Sequence, residues 1–354
     1  MTSNYKRLGD YIQEVNIRNK DLKQYPLLGV SIRKEMMTSI ANTVGTDMST
    51  YKIIQKNQFA YGPVTSRNGD KISIALSCEE KALLSQAYVV FETNNLLLPE
   101  YLMMWFRRPE FDRYARYKSH GSAREIFDWQ EMSEVMLPIP SVEKQQEIVN
   151  EYHTIQNRIN LNNQLIAKLE ETAQTIYKQW FVDENDDLSV VIGDLFTPKK
   201  GKNITRDEAI EGQYPVVAGG LEPSCYHIEY NTEMPVVTIS ASGANAGFTR
   251  LYHSKVWAAD CSFIDKTIFN EVYFSYVCLK VNQSLLMSKQ QGTGQPHIYP
   301  EHIVTIPIYG FSDVKIKKFN SLCMTIFDRV KIAEKENQKL EELKELLLGR
   351  MVRS

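Results

Sequence analysis

The stretch that decides the fold runs from Ile148 to Trp180 and reads IVNEYHTIQNRINLNNQLIAKLEETAQTIYKQW. Its apolar positions recur with alternating gaps of four and three residues, which is the spacing of a coiled-coil seam. The seam consists of Ile148, Tyr152, Ile155, Ile159, Asn162, Ile166, Leu169, Ala173, Ile176 and Trp180. The sequence therefore predicts one long helix whose apolar stripe carries a polar residue, Asn162.

The same spacing returns near the C-terminus, where each seam position lies 171 residues after its counterpart. This second seam consists of Phe319, Cys323, Ile326, Val330, Ala333, Asn337, Leu340, Lys344, Leu347 and Met351. Strings outside the seams also repeat, since Leu137-Pro138-Ile139 returns as Ile306-Pro307-Ile308. The chain therefore contains one unit twice, in the order globule, helix, globule, helix.

The duplication predicts an α+β fold with two pseudo-repeated mixed α/β domains, joined by two long helices that form an antiparallel coiled coil. The two prolines of Leu137-Pro138-Ile139-Pro140 end the first globule, because proline cannot continue a ladder or a helix interior. The acidic run from Asp183 to Asp187 ends the first helix. The predicted boundaries are 1–140 for the first domain, 141–182 for the central helix, 183–310 for the second domain and 311–354 for the C-terminal helix.

The composition excludes several classes of protein. A formal net charge of −2 argues against a generally basic nucleic-acid coat, so any contact with nucleic acid must come from local patches. No run approaches the roughly 18 apolar residues of a membrane span. The N-terminus lacks an apolar targeting core, and the scattered cysteines form no Cys-x-x-Cys pair. We expect a cytoplasmic protein with reduced cysteines and no membrane partner.

The first globule has two candidate DNA-binding features. Strand-like segments at 59–64 and 71–76 flank Asn68-Gly69, a strong hairpin turn because both residues tolerate positive φ. Arg67 and Lys71 flank its tip. The segment 107–124 is rich in basic residues interleaved with tyrosines, which suits phosphate contact; a solvated helix face remains the alternative. The candidate DNA-binding residues here are Arg67, Lys71, Arg113, Arg116 and Lys118.

The second globule carries a loop of small residues, Ala241 to Gly247, between strands predicted at 236–240 and 248–253. This loop takes the place of the first globule's hairpin. No Lys-Ser/Thr helix start follows it, so a nucleotide P-loop is not favoured. The second globule is acidic overall, and its candidate DNA-binding residues are Lys199, Lys200, Lys202, Arg250 and Lys255.

The sequence lacks the motifs of catalysis. It has no Gly-x-Ser-x-Gly elbow, no Gly-x-Gly-x-x-Gly turn and no Asn/Asp-Pro-Pro-aromatic tetrapeptide of amino-methyltransferases. His297, Glu301 and His302 suggest a metal site, but Pro296 and Pro300 preclude the helix that such a His-Glu-His set requires. We therefore expect no catalytic residue and no metal ligand in this chain.

Two such helices can bury both seams if they pair antiparallel about a pseudo-two-fold axis. An axis at residue 164 would place Asn162 opposite Asn337, so the two amides could bond each other and fix the register. Ile148 to Trp180 spans about 48 Å at about 1.5 Å per residue, which would separate the globules by about 14 base pairs of DNA at most. The sequence predicts a particle that reads two separated, unlike half-sites.

The residues that surround the first helix resemble a known family. The run Leu137 to Val149, which reads LPIPSVEKQQEIV, the Asn-rich helix after it and the Lys-Leu-Glu-Glu string near both helix ends resemble the specificity subunit of type I restriction-modification systems. The likeness covers the whole chain. The second copy departs from the pattern, because Ile306 to Ser312 lacks the second proline and the Glu-Lys-Gln-Gln run.

This resemblance implies that each globule is a target recognition domain reading one half of a bipartite, asymmetric site on double-stranded DNA. It implies that the paired helices set the spacer and dock two methylase subunits, with restriction subunits joining through them. This chain would bind no cofactor; S-adenosylmethionine, ATP and magnesium are expected on the partner subunits. Recognition domains vary by design, so the candidate contacts above rest on charge and loop position alone.

The sequence leaves two other interpretations open. A coiled-coil adaptor with duplicated protein-binding domains fits the near-neutral charge and the acidic second globule. A self-contained nuclease or methyltransferase is disfavoured by the missing motifs.

Overall fold

A computed structural model describes residues 5–66, 68–120, 125–183, 190–292 and 294–352. These residues fall into two compact units, unit 1 within Met1–Ile159 and Gln338–Ser354 and unit 2 within Asn160–Asn337. The candidate Arg67 and most of the acidic run after Asp183 lie outside the described residues. None of the helices in the described ranges is long and apolar enough to cross a membrane.

Unit 1 is built on an antiparallel sheet with the strand order β2-β9-β6-β7. Helices α1 and α2 both begin with a proline, whose missing N–H costs nothing in the first turn. The elements are β1 (Tyr5–Arg7), β2 (Ile12–Val15), β3 (Leu28–Val30), β4 (Met36–Thr38), β5 (Lys52–Gln55), β6 (Phe59–Tyr61), β7 (Ile74–Leu76), β8 (Lys81–Leu84), β9 (Val89–Thr93), α1 (Pro99–Phe106), α2 (Pro109–Lys118), α3 (Trp129–Ser133), β10 (Met136–Pro138) and the long helix α4 (Val142–Lys178).

The core of unit 1 is aromatic. The rings of Phe59 and Phe91 stack across β6 and β9 with centroids 4.8 Å apart, and Phe106 meets Phe59 edge-on. Helix α1 is buried on every side from Tyr101 to Phe106. The aromatic residues of α1 therefore belong to the core of unit 1.

Unit 2 is built on an antiparallel sheet with the strand order β12-β18-β15-β16. A smaller sheet pairs β13 antiparallel with β14 and parallel with β17. The elements are β11 (Val190–Val191), α5 (Ile192–Leu195), β12 (Lys199–Lys200), β13 (Tyr214–Val217), β14 (Cys225–His227), β15 (Val236–Ser240), β16 (Thr249–Tyr252), β17 (Trp257–Ala258), β18 (Cys261–Asp265), α6 (Val272–Val281), α7 (Gln283–Ser288), α8 (Pro300–Ile303), β19 (Pro307–Ile308) and the long helix α9 (Asp313–Arg350).

The two main sheets have the same topology. In each, the outer strands are the first and third of the four along the chain, and a hairpin forms the far edge: β6–β7 in unit 1 and β15–β16 in unit 2. Helix α1 follows β9 as helix α6 follows β18. The structure thus confirms the predicted α+β fold class with a duplicated mixed domain.

The long helices pair antiparallel in both units. In unit 1, Lys344 Nζ of α9 lies 3.2 Å from Gln156 Oε1 of α4, and Ile148 shares a hydrophobic cluster with Met351. In unit 2, the ring of Tyr177 near the end of α4 lies 5.7 Å from that of Phe319 near the start of α9.

The buried stripe differs from the predicted seam near the ends of the unit 2 helices. Tyr177 and Phe181 are buried where the strict repeat predicts Ile176 and Trp180, and Phe327 is buried where it predicts Ile326. A helix of 3.6 residues per turn drifts from a repeat of 3.5, and here the drift turns these aromatic rings toward the globule core. Tyr177 and Phe181 both pack on Phe274 of α6.

Candidate nucleic-acid interface

The loop between β6 and β7 is the first candidate DNA-binding element. Its tip turns at Asn68-Gly69, where Gly69 has a φ of +65° and Asn68 N donates to Thr65 O. The paired strands end at Tyr61 and begin again at Ile74, so the loop is longer than the sequence predicts. Lys71 is exposed beside the tip.

Hydrogen bonds at both ends of this loop fix it against helix α2 and against Ser119 and Glu125, which follow the helix. Thr65 donates its N–H to Glu125 O at 2.9 Å and shares a hydrogen bond with the hydroxyl of Ser119. At the other end of the loop, Ile72 N donates to Asp112 Oδ1 at 3.2 Å. The structure therefore brings the predicted hairpin and the predicted basic segment together.

Asp112 also holds a buried lysine. Its Oδ2 lies 2.8 Å from Lys34 Nζ, which donates a second hydrogen bond to Phe106 O, and the Lys34 side chain is 6% exposed. Burial lowers the pKa of Lys34, and the Asp112 carboxylate partly opposes this shift. This pair ties the β3–β4 turn, the hairpin loop and α2 into one body. The sequence does not predict this ion pair, because its two partners are 78 residues apart.

The basic residues of α2 are partly neutralised. Arg116 is ion-paired with Glu125, and Lys118 lies 3.2 Å from Glu131, whose hydrogen bond raises the pKa of Lys118. Arg113 is 69% exposed and lies 3.4 Å from Glu110. A phosphate group would have to compete with these carboxylates, which reduces the electrostatic attraction that the sequence alone suggests.

In unit 2 the small-residue loop contains two glycines with positive φ, Gly243 at +78° and Gly247 at +86°. Ser242 Oγ donates to the carboxylate of Asp260, and a bridge joins Ser242 to His297. The His297 ring stacks on Tyr299 with centroids 5.7 Å apart, and Lys200 Nζ lies 5.8 Å from the Tyr299 ring. These contacts bring Lys200 into the neighbourhood of the loop.

Lys199 and Lys200 form strand β12 and are both exposed, and Lys202 is exposed above the ring of Trp257. Gly201 between them is required, because a Cβ there would lie 2.3 Å from Ala259 O. The backbone of this segment is thus pressed against the β17–β18 turn. The three lysines therefore follow one another along a segment whose backbone is held in place, which we call the lysine row, and Lys200 is its member near the loop.

Arg250 and Lys255 are held differently. Arg250 donates to Leu221 O at 2.7 Å and pairs with Glu222 at 3.2 Å. Lys255 pairs with Glu233 at 2.9 Å, and this hydrogen bond raises the pKa of Lys255. Both cations have local carboxylates as partners, and no contact among the described residues joins them to the lysine row. Their role as DNA contacts stays a prediction.

The histidine cluster at 297–302 has structural contacts. His302 Nδ1 accepts a hydrogen bond from Tyr299 N at 3.0 Å and closes the first turn of α8. Within the described ranges, no group of three or more His, Cys, Asp or Glu side chains is arranged to hold a metal ion.

The helix pair carries the two polar seam residues in one layer of unit 2. Asn162 Nδ2 lies 2.9 Å from Asn337 Oδ1 and 3.1 Å from Glu336 Oε2, while Asn337 Nδ2 donates to Asn163 Oδ1 at 2.8 Å. Asn162 is 3% exposed. The amides lie opposite each other as the repeat predicts, and their role in fixing the register stays a prediction.

Comparison with known proteins gives a consistent picture. The family model described as type I restriction modification DNA specificity domain matches twice, at residues 14–171 and 188–345. The HindI specificity subunit of Haemophilus influenzae is 26% identical over 184 residues, which cover 50% of this chain but only 40% of that protein. The MjaIX specificity subunit of Methanocaldococcus jannaschii is 22% identical over 72% of this chain and 68% of its own length.

A solved structure supports the fold. The S subunit of a type I restriction-modification system from M. genitalium aligns with a TM-score of 0.54 over 98% of this chain and 95% of that chain, at 16% identity.

Proposed function

The chain belongs to the type I restriction modification DNA specificity family, and on that premise we propose that it is the sequence-specific DNA-recognition subunit of a type I restriction-modification complex. It reads a bipartite, asymmetric site on double-stranded DNA in the cytoplasm, with one target recognition domain for each half. The observation that carries this proposal is the duplicated sheet with its edge hairpin. Lys71 is exposed in the hairpin loop of unit 1, and in unit 2 the exposed Lys200 of β12 lies over Tyr299, whose ring stacks on His297 beside the hairpin loop.

The two candidate interfaces differ in detail, which supports an asymmetric site. Unit 1 offers a 12-residue connection between Tyr61 and Ile74 beside α2, whereas unit 2 offers a loop with two positive-φ glycines near Lys200. Different loops present different donors and acceptors to base edges, so the two half-sites should differ.

The chain itself is proposed to be non-catalytic and to bind no cofactor. Two modification subunits would supply S-adenosylmethionine and transfer its methyl group to adenine, and restriction subunits would join through them with ATP and magnesium. The paired helices α4 and α9 would set the spacer between the half-sites. Their 37 and 38 residues give each a length of about 56 Å at about 1.5 Å per residue.

The adaptor alternative makes a different prediction. A purified complex of this chain with its modification subunits should select one split motif with a fixed spacer from random duplex DNA. If the intact complex selects no DNA motif, the adaptor hypothesis is favoured instead.

A further inference from the structure

A pocket with a volume of about 370 Å³ opens beside the loop between β6 and β7 of unit 1. Gly62 in the first arm of the loop and Ser73 in its second arm line this pocket, and so does Asn68 at the tip. Outside the loop, the lining includes Val30 at the end of β3 and Tyr88 just before β9. The pocket is therefore built largely by the loop that is the first candidate DNA-binding element.

The absence of a side chain at residue 62 keeps the pocket open. A Cβ on Gly62 would lie 2.7 Å from Ser73 Oγ and 3.7 Å from a ring carbon of Tyr88. The first distance is too short for a non-bonded contact, so even a methyl group would displace the serine side chain. The space in front of Ser73 and Tyr88 therefore depends on glycine at this position.

Three polar side chains bring hydrogen-bonding groups to the pocket. Ser73 is 7% exposed, and its hydroxyl has no hydrogen-bond partner among the residues that the structure describes. The hydroxyl of Tyr88 accepts a hydrogen bond from Val30 N at 3.3 Å, which leaves its own proton to donate. Asn68 Nδ2 donates to Val64 O at 3.3 Å, which leaves Asn68 Oδ1 as an acceptor. The pocket thus offers two donors and one acceptor to a ligand.

The rest of the lining is apolar. It includes Ile32, which is 45% exposed, together with Val30 and Ala87. Among the described residues, no charged side chain lines the pocket. Arginine and lysine are the usual readers of guanine in the major groove, and a carboxylate is the usual acceptor for the cytosine amino group. The lining therefore lacks the side chains that commonly read a G·C pair.

An A·T pair matches this lining in the major groove. Adenine N7 and thymine O4 accept hydrogen bonds, the adenine amino group donates one, and thymine adds its 5-methyl group. A G·C pair also presents two acceptors and one donor, but it has no methyl group to pack on an apolar wall. The apolar part of the pocket is therefore what favours A·T.

We propose that this pocket reads one A·T pair in the half-site of unit 1. The thymine methyl group packs against Ile32 and Val30, while Ser73, Tyr88 and Asn68 supply the hydrogen bonds to the base edges. The inference rests on the proposed function for the presence of DNA at this loop.

The test uses the complex of the full chain with its modification subunits and the split motif that this complex selects. Each thymine of the motif is replaced in turn by deoxyuridine, which removes only the 5-methyl group. One replacement should weaken binding about fourfold, as expected when one methyl group leaves an apolar contact. With Ile32→Ala, the same replacement should weaken binding by less than about twofold, because the methyl group has already lost its partner. Ile17→Ala is the matched control, since Ile17 is 46% exposed in unit 1, does not line the pocket and should leave the fourfold effect intact.

Two further variants test the pocket through sequence selection. Gly62→Val fills the pocket and Ser73→Ala removes one donor, so both should relax the preference at that same base pair and keep it elsewhere in the motif. A merely structural role would instead weaken binding equally on all sequences. That result, or a motif in which no thymine replacement depends on Ile32, would overturn the inference alone. A wild-type complex that selects no motif would contradict the proposed function.

Discussion

Asn162 Nδ2 donates a hydrogen bond to Asn337 Oδ1 at 2.9 Å, in the seam of the paired helices of unit 2. The two residues are 175 positions apart in the sequence. Polar pairs of this kind in an apolar seam specify register at a cost in stability.

The first prediction concerns this pair. Asn162→Leu alone should destabilise unit 2, since it removes the donor to Asn337 Oδ1, and an unsatisfied partner costs about 1–3 kcal/mol. The double substitution to Leu should recover that loss and raise the melting temperature by about 2–4 °C for each kcal/mol gained. Calorimetry of the wild type, both single variants and the double variant measures the coupling. A double variant less stable than either single would contradict the prediction.

The second prediction concerns the buried ion pair in unit 1. Asp112→Ala should cost about 3–5 kcal/mol, because it leaves the charge of Lys34 buried without its partner. It also frees the N–H of Ile72 at the foot of the hairpin loop. Lys34→Met with Asp112→Leu should be far less damaging than Asp112→Ala, since neither charge then remains. Urea unfolding of the wild type, Asp112→Ala and the double variant measures the two losses of stability. Equal losses would show that the unpaired charge of Lys34 is not the cause.

The third prediction separates free cations from neutralised ones. Lys200→Gln should weaken DNA binding on all sequences and reduce the slope of log K against log salt by about 0.9, if it contacts one phosphate. Arg250→Gln and Lys255→Gln should change the slope much less, because Glu222 and Glu233 already pair with these residues. Titrations at several salt concentrations make the comparison. Equal changes in slope for the three variants would refute this distinction.

The fourth prediction concerns the ion pair between Glu125 and Arg116. Glu125→Gln should release Arg116 from its ion pair and strengthen DNA binding, whereas Arg116→Gln should weaken it. The two substitutions act in opposite directions only if Arg116 faces the phosphates. Electrophoretic binding assays on one duplex suffice. If Glu125→Gln weakens binding as much as Arg116→Gln, the pair serves the fold rather than the interface.

The fifth prediction concerns the lysine row. Gly201→Ala should destabilise unit 2 and displace Lys200 and Lys202, because the new methyl group would meet the carbonyl oxygens of Ala258 and Ala259. Gly349→Ala in α9 is the matched control, since nothing lies within 4 Å of a Cβ there. That control should be neutral or stabilising by about 0.5–1 kcal/mol. If Gly201→Ala leaves the stability unchanged, the β17–β18 turn can move enough to accept the methyl group.

The sequence predicts the helix pairing and its polar layer because both depend on a local, repeated spacing. The hairpin tip at Asn68-Gly69 and the small-residue loop before β16 are predictable for the same reason, since turn residues act on their own backbone. The ion pairs of Arg116 and Lys118 were not predicted. Their partners, Glu125 and Glu131, lie beyond the helix that carries the cations, so only the folded chain shows how far the basic segment is neutralised.

The departure of the buried stripe from the strict repeat at Tyr177 and Phe327 was not predicted either. It depends on packing against the globule core, which a heptad count does not contain.

Sequence recognition by this chain is tested best by methylome sequencing of the source strain with and without its gene. We expect the loss of N6-methyladenine at one split motif, with two unlike halves and a short fixed spacer. An unchanged methylome, in a strain where the intact complex is shown to be present and methylating DNA, would contradict sequence recognition by this chain.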